Sequence, residues 1–262
     1  DIRRIRAEAP LVHNITNYVV MNPTANALLA LGASPVMAHA VDEVEEMVRL
    51  ARALVLNIGT LSGPWIEAML RAGREAGRRG IPIVLDPVGC GATRFRTETS
   101  RRLLAELSPA IVRGNASEIA VLAGAAAVTK GVDSTLAADD TIEMAKFLAE
   151  TCHCVVSVSG ATDLIVGEGV ILRVRNGHPL MARVTGLGCT ATALTGAFAA
   201  VNPSPRRAAA HAMALMGIAG EIAAERSSGP GSLQMHFLDV LHGIEESEIQ
   251  RRLKMEEIPA DT

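Results

Sequence analysis

Aromatic side chains are scarce in this 262-residue chain: one Trp, one Tyr and four Phe make up 2% of it, although 49% of all residues are hydrophobic. A large core with so few rings must be built from Ala, Val, Leu, Ile and Met packed between helices and a sheet, a composition that suits layered α/β architecture. Excess positive charge is lacking as well. With a formal net charge of −3 there is no basic field to hold a nucleic-acid backbone, so nucleic acid is not expected as a partner. Paired arginines such as Arg78-Arg79 and Arg101-Arg102 lie in polar stretches and read as solvated helix faces. The four cysteines, Cys90, Cys152, Cys154 and Cys189, follow neither a disulfide framework nor the paired C-x-x-C spacing of a structural zinc site. Cys152-His153-Cys154 offers too few ligands to close a metal site, so buried free thiols in a reducing compartment are expected. No apolar run of roughly 18 residues occurs and no basic-then-apolar leader opens the chain, so no membrane association is expected and the cytoplasm is the expected location.

Short aliphatic runs at 11–15, 36–37, 54–58, 81–85, 110–112 and 155–158 read as buried strands. Helical stretches at 41–52, 65–79, 97–107 and 135–150 alternate with them, and Gly80 with Pro82 stops the second. Strand alternating with helix predicts a mainly parallel sheet. Past residue 160 the rhythm changes, because 163–166 and 170–174 flank Gly167-Glu168-Gly169 in the manner of a hairpin and predict an antiparallel edge. The last third turns helical, at 190–201 and 206–225, with small apolar residues at helical spacing. No repeat and no linker divides the chain, the segment 227–232 being the one short stretch rich in Pro, Gly and Ser, so residues 1–262 are expected to form a single domain.

In open α/β sheets ligands bind at the carboxyl ends of the parallel strands, and polar residues cluster just after these apolar runs. Asn57 with Thr60 follows one, Asp86-Pro87 the next, Arg113 with Asn115 a third and Ser159-Gly160 a fourth. Asp86, leading into the glycine-rich turn Val88-Gly89-Cys90-Gly91, fits either a metal-facing carboxylate or a turn cap. Glu118, three residues after Asn115, fits either a second acidic group beside Mg²⁺ or the partner in an N-terminal capping box. Arg113 ends an apolar run, where a guanidinium needs an anion: a nucleotide phosphate or a structural carboxylate.

The most informative segment is Thr185-Gly186-Leu187-Gly188-Cys189, which runs directly into an apolar helix. Its glycines let backbone N–H groups turn inward, and the new helix adds unpaired donors and a positive dipole end, together an anion hole. Gly186 to Ala191 also satisfies the G-x-G-x-x-A pattern of dinucleotide-binding oxidoreductases. That pattern needs a following strand and an acidic residue about 20 positions on, whereas this chain continues into two helices. The G-x-x-x-x-G-K-[ST] loop is absent, which excludes a P-loop. Cys189 falls in the first turn of the helix, where the dipole is expected to lower its thiol pKa and suit it to accept a proton from an alcohol; an inert buried thiol is the alternative.

Taken in order, Pro10-Leu11-Val12-His13-Asn14-Ile15-Thr16-Asn17, Gly32-Ala33-Ser34-Pro35-Val36-Met37, Asp86-Pro87-Val88-Gly89, Arg113-Gly114-Asn115-Ala116-Ser117-Glu118 and Val184-Thr185-Gly186-Leu187-Gly188-Cys189 closely resemble the hydroxyethylthiazole kinases of the ribokinase-like superfamily. The resemblance implies a three-layer ribokinase-like fold, a mainly parallel central sheet with an antiparallel edge and helices on both faces. It implies transfer of phosphate from ATP to the hydroxyl of 4-methyl-5-(2-hydroxyethyl)thiazole in thiamine salvage. Asn17, Met37 and Gly186 match thiazole-binding positions, Arg113, Asn115 and Ser159 ATP-contacting ones, and Asp86 and Glu118 the positions that manage Mg²⁺. Cys189, Gly186, Gly188 and Arg113 are the implied catalytic set. A homotrimer with sites between subunits is also implied, which would set the N-terminal substrate loop against a neighbour's phosphate-binding end. Two departures stand out: ribokinase-like enzymes generally carry Asp at the position of Cys189, and Ser159 stands where Thr is common.

Overall fold

A computed structural model describes residues 1–124 and 138–259. The chain enters through α1 (Ile2–Glu8) and β1 (Leu11–Ile15), then alternates α2 (Met21–Leu31), β2 (Ser34–Val36), α3 (Val44–Leu50), β3 (Ala53–Asn57), α4 (Gly63–Arg79) and β4 (Ile83–Asp86). The alternation continues with α5 (Arg94–Leu107), β5 (Ile111–Asn115), α6 (Ala116–Leu122), α7 (Ala138–Cys152) and β6 (Val155–Ser159). The helix expected over 135–150 is α7; residues 135–137 lie outside the described residues. Local chemistry sets the helix ends. The Ser62 hydroxyl accepts the Trp65 N–H, Pro64 occupies the first turn, and Gly80 closes α4 in the left-handed region at φ 67°.

Among the described residues nine strands form one sheet in the order β2-β1-β3-β4-β5-β6-β7-β8-β9, where β7 (Asp163–Gly167) and β8 (Val170–Val174) form the expected hairpin and β9 is Met255–Pro259. The first six strands are parallel and the last three antiparallel. Strand alternation feeds two cores. Val55 faces one cluster while Leu54 and Leu56 face the other, and Val84 against Ile83 and Leu85 repeats the pattern. One core is closed by α2, α8 (Leu187–Ala199), α9 (Pro205–Glu225) and α10 (Pro230–Gly243), the other by α4, α5 and α7. These are the three layers anticipated from the sequence, and no helix among the described residues is long and apolar enough to cross a membrane.

Several elements depart from the sequence reading. β9 extends the antiparallel edge to three strands; two of the five residues in its Met-Glu-Glu-Ile-Pro sequence are charged and its burial alternates, so it shows no apolar run. α1, α2, α10 and α11 (Glu246–Arg252) also escape it, α2 because Asn22, Pro23 and Asn26 break the apolar pattern. The segment 227–232 is a helix start rather than a linker: Pro230 opens α10, and the Ser232 hydroxyl accepts the Gly229 N–H at 3.2 Å. Cys154 is buried and Cys152 half-buried, and burial pushes both thiols up.

Candidate active site

The carboxyl ends of β1, β3, β4, β5 and β6 meet the start of α8 around a cleft of about 390 Å³. Asp86, Arg113, Asn115 and Ser159 line it from the strands, Glu118 from the first turn of α6, and Gly186, Gly188 and Cys189 from the start of α8. Asn17 joins them from the loop after β1. Met37 does not: it is half-buried just beyond β2, the strand at the edge of the sheet, and is absent from the lining.

A directional chain of hydrogen bonds ties the two sides of the cleft together. The Gly59 N–H donates to Asn57 Oδ1 at 2.9 Å, which turns the Asn57 amide toward Asp86, and its Nδ2 donates to Asp86 Oδ2 at 2.7 Å. Likewise the Val19 N–H fixes Asn17 Oδ1, and Asn17 Nδ2 then donates to Asn57 Oδ1 at 2.8 Å and lies 3.5 Å from Cys189 Sγ. Gly59 admits this packing, since a Cβ there would stand 2.5 Å from Asn17 Nδ2. Beside the loop, the chain's one Tyr and one Trp meet edge-on, Tyr18 against Trp65 at 4.5 Å, with His39 stacked on the indole.

The N-terminal loop packs on the turn that starts α8 in its own chain. Val20 abuts Gly186 so closely that a Cβ on Gly186 would come within 2.7 Å of Val20 Cγ1, and Gly186 also holds the left-handed φ of 83° that few other residues adopt.

No side chain caps α8 at Gly186, and the Leu187, Gly188 and Cys189 N–H groups make no hydrogen bond among the described residues. They are free donors at a positive helix end, and Gly188 and Cys189 line the cleft. The Arg113 guanidinium lies over this turn, 3.0 Å from where a Gly188 Cβ would stand. It is 7% exposed, its Nε has no hydrogen-bond partner, and no carboxylate pairs with it among the described residues. A buried cation left in this state is costly, and the structural salt bridge offered as the alternative for Arg113 is not formed.

Asp86 is 1% exposed and held at Oδ2 by two donors, Asn57 Nδ2 and the Thr192 hydroxyl, each at 2.7 Å. Burial pushes its carboxyl up to about 6 despite the nearby Arg113. Oδ1 takes no hydrogen bond among the described residues. Glu118 is engaged at both oxygens, by the Asn115 N–H at 2.8 Å and the Gly89 N–H at 2.7 Å, and Asn115 Oδ1 accepts the Glu118 N–H at 2.9 Å. The capping box is therefore formed, and it also ties β5 to the loop after β4. Ser159 is half-buried, its hydroxyl 3.4 Å from the Gly114 carbonyl.

Cys189 corrects one expectation. It does lie in the first turn of α8, yet burial, reinforced by Asp86, pushes its thiol up to about 11. Desolvation of the thiolate outweighs the amide donors from Asn57 and Asn17 and the nearby Arg113. In the sequence Asn57 shows as a strand end with no site role attached, and Thr192, one helical turn after Gly188, is not singled out. Thr192 carries no distinguishing signal, since Thr190 and Thr195 share its helix.

The same fold carries known small-molecule kinases. The pyridoxal kinase from Staphylococcus aureus superposes with a TM-score of 0.66 over 95% of this chain and 98% of its own, at 18% identity, a likeness of fold alone, and that fold is the three-layer ribokinase-like one. The particular family follows from sequence. Residues 2–247 match the hydroxyethylthiazole kinase family. A hydroxyethylthiazole kinase of Syntrophus aciditrophicus is 61% identical over 97% of this chain and 94% of the relative, and one of Oleidesulfovibrio alaskensis is 57% identical over 95% and 94%. The solved structure of a hydroxyethylthiazole kinase protein from Pyrococcus horikoshii superposes with a TM-score of 0.91 at 46% identity, over 98% of this chain and 97% of that one. The chain belongs to the hydroxyethylthiazole kinase family.

Proposed function

We infer that this chain transfers the terminal phosphoryl group of ATP to the hydroxyl of 4-methyl-5-(2-hydroxyethyl)thiazole, giving the thiazole phosphate used in thiamine salvage. The observation that carries the reading is the unpaired, buried Arg113 over the uncapped start of α8, a built anion site in a chain 61% identical to a hydroxyethylthiazole kinase. Arg113, Asn115 and Ser159 hold the nucleotide, and the N–H groups of residues 187–189 receive charge that develops on the transferred group. Asn17 and Gly186 bound the acceptor, whose hydroxyl is thereby brought to Cys189. At about 11 the thiol is protonated at neutral pH, so Cys189 accepts a proton only through a small thiolate population.

Asp86 fits Mg²⁺ through the oxygen its donors leave free, and Glu118, with both oxygens already taken by backbone, fits it through water. The ion would neutralise charge on the phosphates. Met37, absent from the cleft lining of one chain, fits an acceptor site completed between subunits of a homotrimer, as do the outward Tyr18 at 67% exposure and Val19 at 62%. The chain works as one domain, its sheet running unbroken through the described residues, in the cytoplasm.

Incubation with the thiazole alcohol, Mg²⁺ and ATP, followed by mass detection, is expected to show one added phosphate on the alcohol. Retention of the unmodified alcohol by folded protein, with ATP intact, would reject the reading.

A further inference from the structure

Arg96 lies in the first turn of α5, outside the cleft lining, and its guanidinium reaches three backbone carbonyls on two different loops. Nη1 donates to Ile58 O at 3.0 Å and to Val88 O at 2.7 Å, and Nη2 donates to Gly59 O at 2.7 Å. Ile58 and Gly59 follow β3; Val88 follows β4. No carboxylate pairs with Arg96 among the described residues, so its charge is spent on these carbonyls alone. Gly89 makes room for the approach: a Cβ there would stand 3.2 Å from Arg96 Cδ, and its φ of 72° lies in the left-handed region.

Each loop serves one side of the cleft. Gly59 backs the Asn17 carboxamide and donates to Asn57, so the loop after β3 shapes the acceptor side. Val88 lines the cleft and the neighbouring Gly89 N–H holds Glu118, so the loop after β4 shapes the metal and phosphate side. Each loop also has its own tie to its own side, Asn57 for the first and Glu118 for the second. At their roots the strands are joined by Asn57 Nδ2 to Asp86 Oδ2 and by the Ile58 N–H to Asp86 O at 3.2 Å; beyond them the planar fork of one guanidinium joins the two loops, which a lysine ammonium, a point donor on a shorter reach, cannot reproduce.

We propose that Arg96 is a positioning residue that sets the distance between the acceptor side and the phosphate side of the cleft. It touches neither substrate and acts through the carbonyls of Ile58, Gly59 and Val88. This rests on the phosphotransfer reading above. Since each loop keeps its own tie when Arg96 is lost, each substrate still finds its half-site, while the in-line approach of hydroxyl and phosphoryl group is spoiled. An error near 1 Å in such an approach costs about 10²-fold in rate.

The test is steady-state kinetics on Arg96→Ala and Arg96→Lys, with hydrogen exchange read on the loop segments 58–61 and 87–91. The expected result for Arg96→Ala is a fall in kcat of about 10–100-fold with both KM values within about threefold of the parent, and for Arg96→Lys a smaller fall of the same kind. Exchange is expected to quicken in both segments together. Unchanged kcat in a folded variant, or a loss explained by a rise in either KM, overturns the proposal. If Arg96→Ala does not fold, the same criteria apply to Arg96→Lys, where parent-like kcat overturns it. Hydrogen exchange needs no turnover: should the parent fail to phosphorylate the thiazole, quickened exchange in both segments keeps the tie between loops and rejects the reaction, while unchanged exchange rejects the tie.

Discussion

Replacing Thr192 by Val removes one hydroxyl from the centre of the protein and should make stability fall more steeply as pH rises. Thr192 is fully buried, and its hydroxyl hydrogen has two acceptors in reach, Asp86 Oδ2 at 2.7 Å and Gly188 O at 3.3 Å. The shorter bond to the carboxylate takes it. In the parent, burial raises Asp86 from the ordinary 3.8 to about 6, so ionising it in the fold costs roughly 3 kcal/mol above pH 6, a cost that vanishes below pH 4. A hydrogen bond to a charged acceptor contributes about 1.5–3 kcal/mol and one to a neutral acceptor about 1 kcal/mol. Thr192→Val therefore loses more when Asp86 is ionised than when it is protonated, and the carboxyl rises by roughly one further pH unit. In metal-free buffer, chemical denaturation is expected to show a loss of about 2 kcal/mol at pH 8 and about 1 kcal/mol at pH 4. Thr192→Ser, which keeps the hydroxyl, should stay within about 1 kcal/mol of the parent at both. Equal losses at the two pH values, or a larger loss in acid, would refute the assignment of that hydrogen to an ionised Asp86.

Two further outcomes follow from the same geometry. With the Cys189 thiol at about 11, the thiolate fraction grows about tenfold per pH unit between pH 7 and 9, so a rate that depends on this base climbs with that slope and flattens in Cys189→Ala; a flat parent profile would remove Cys189 as base. Gly59→Ala places a methyl 2.5 Å from Asn17 Nδ2 and pushes the carboxamide off Asn57 and Cys189, so the KM for the thiazole is expected to rise about tenfold or more while that for ATP stays within about threefold; steady-state kinetics with each substrate varied in turn decides it.

Much of this protein is legible without coordinates, for reasons of periodicity. A parallel strand buried on both faces is an unbroken aliphatic run, as at Ala53–Asn57, and the polar residue that ends it marks the ligand edge of the sheet. Hence Asp86, Arg113, Asn115, Ser159 and the glycines before α8 could be named from order alone, and they do share one cleft. β9 was hidden because an exposed edge strand needs no apolar run, and α10 because Gly229-Pro230-Gly231 reads as a break when it is a helix start.

What the chain order could not reveal is how its parts meet. That Cys189 sits at a helix N-terminus is written in the sequence; that its thiol is pushed up rather than down depends on Asp86 and the burial that folding imposes, and desolvation has no sequence signature. The double role of Glu118, capping its own helix while gripping the Gly89 N–H 29 residues away, is half local and half tertiary, and only the local half was readable. Arg96 marks the limit: its three partners lie on loops from two other strands, and nothing in its neighbours along the chain distinguishes it from a surface arginine. Sequence determined the alternating strands and helices of the parallel half and the ligand edge, because these follow from periodicity, and its motifs carried the resemblance to the family; the tertiary structure decided the protonation of the site and the ties between its two sides, because those depend on distances between residues remote in the chain.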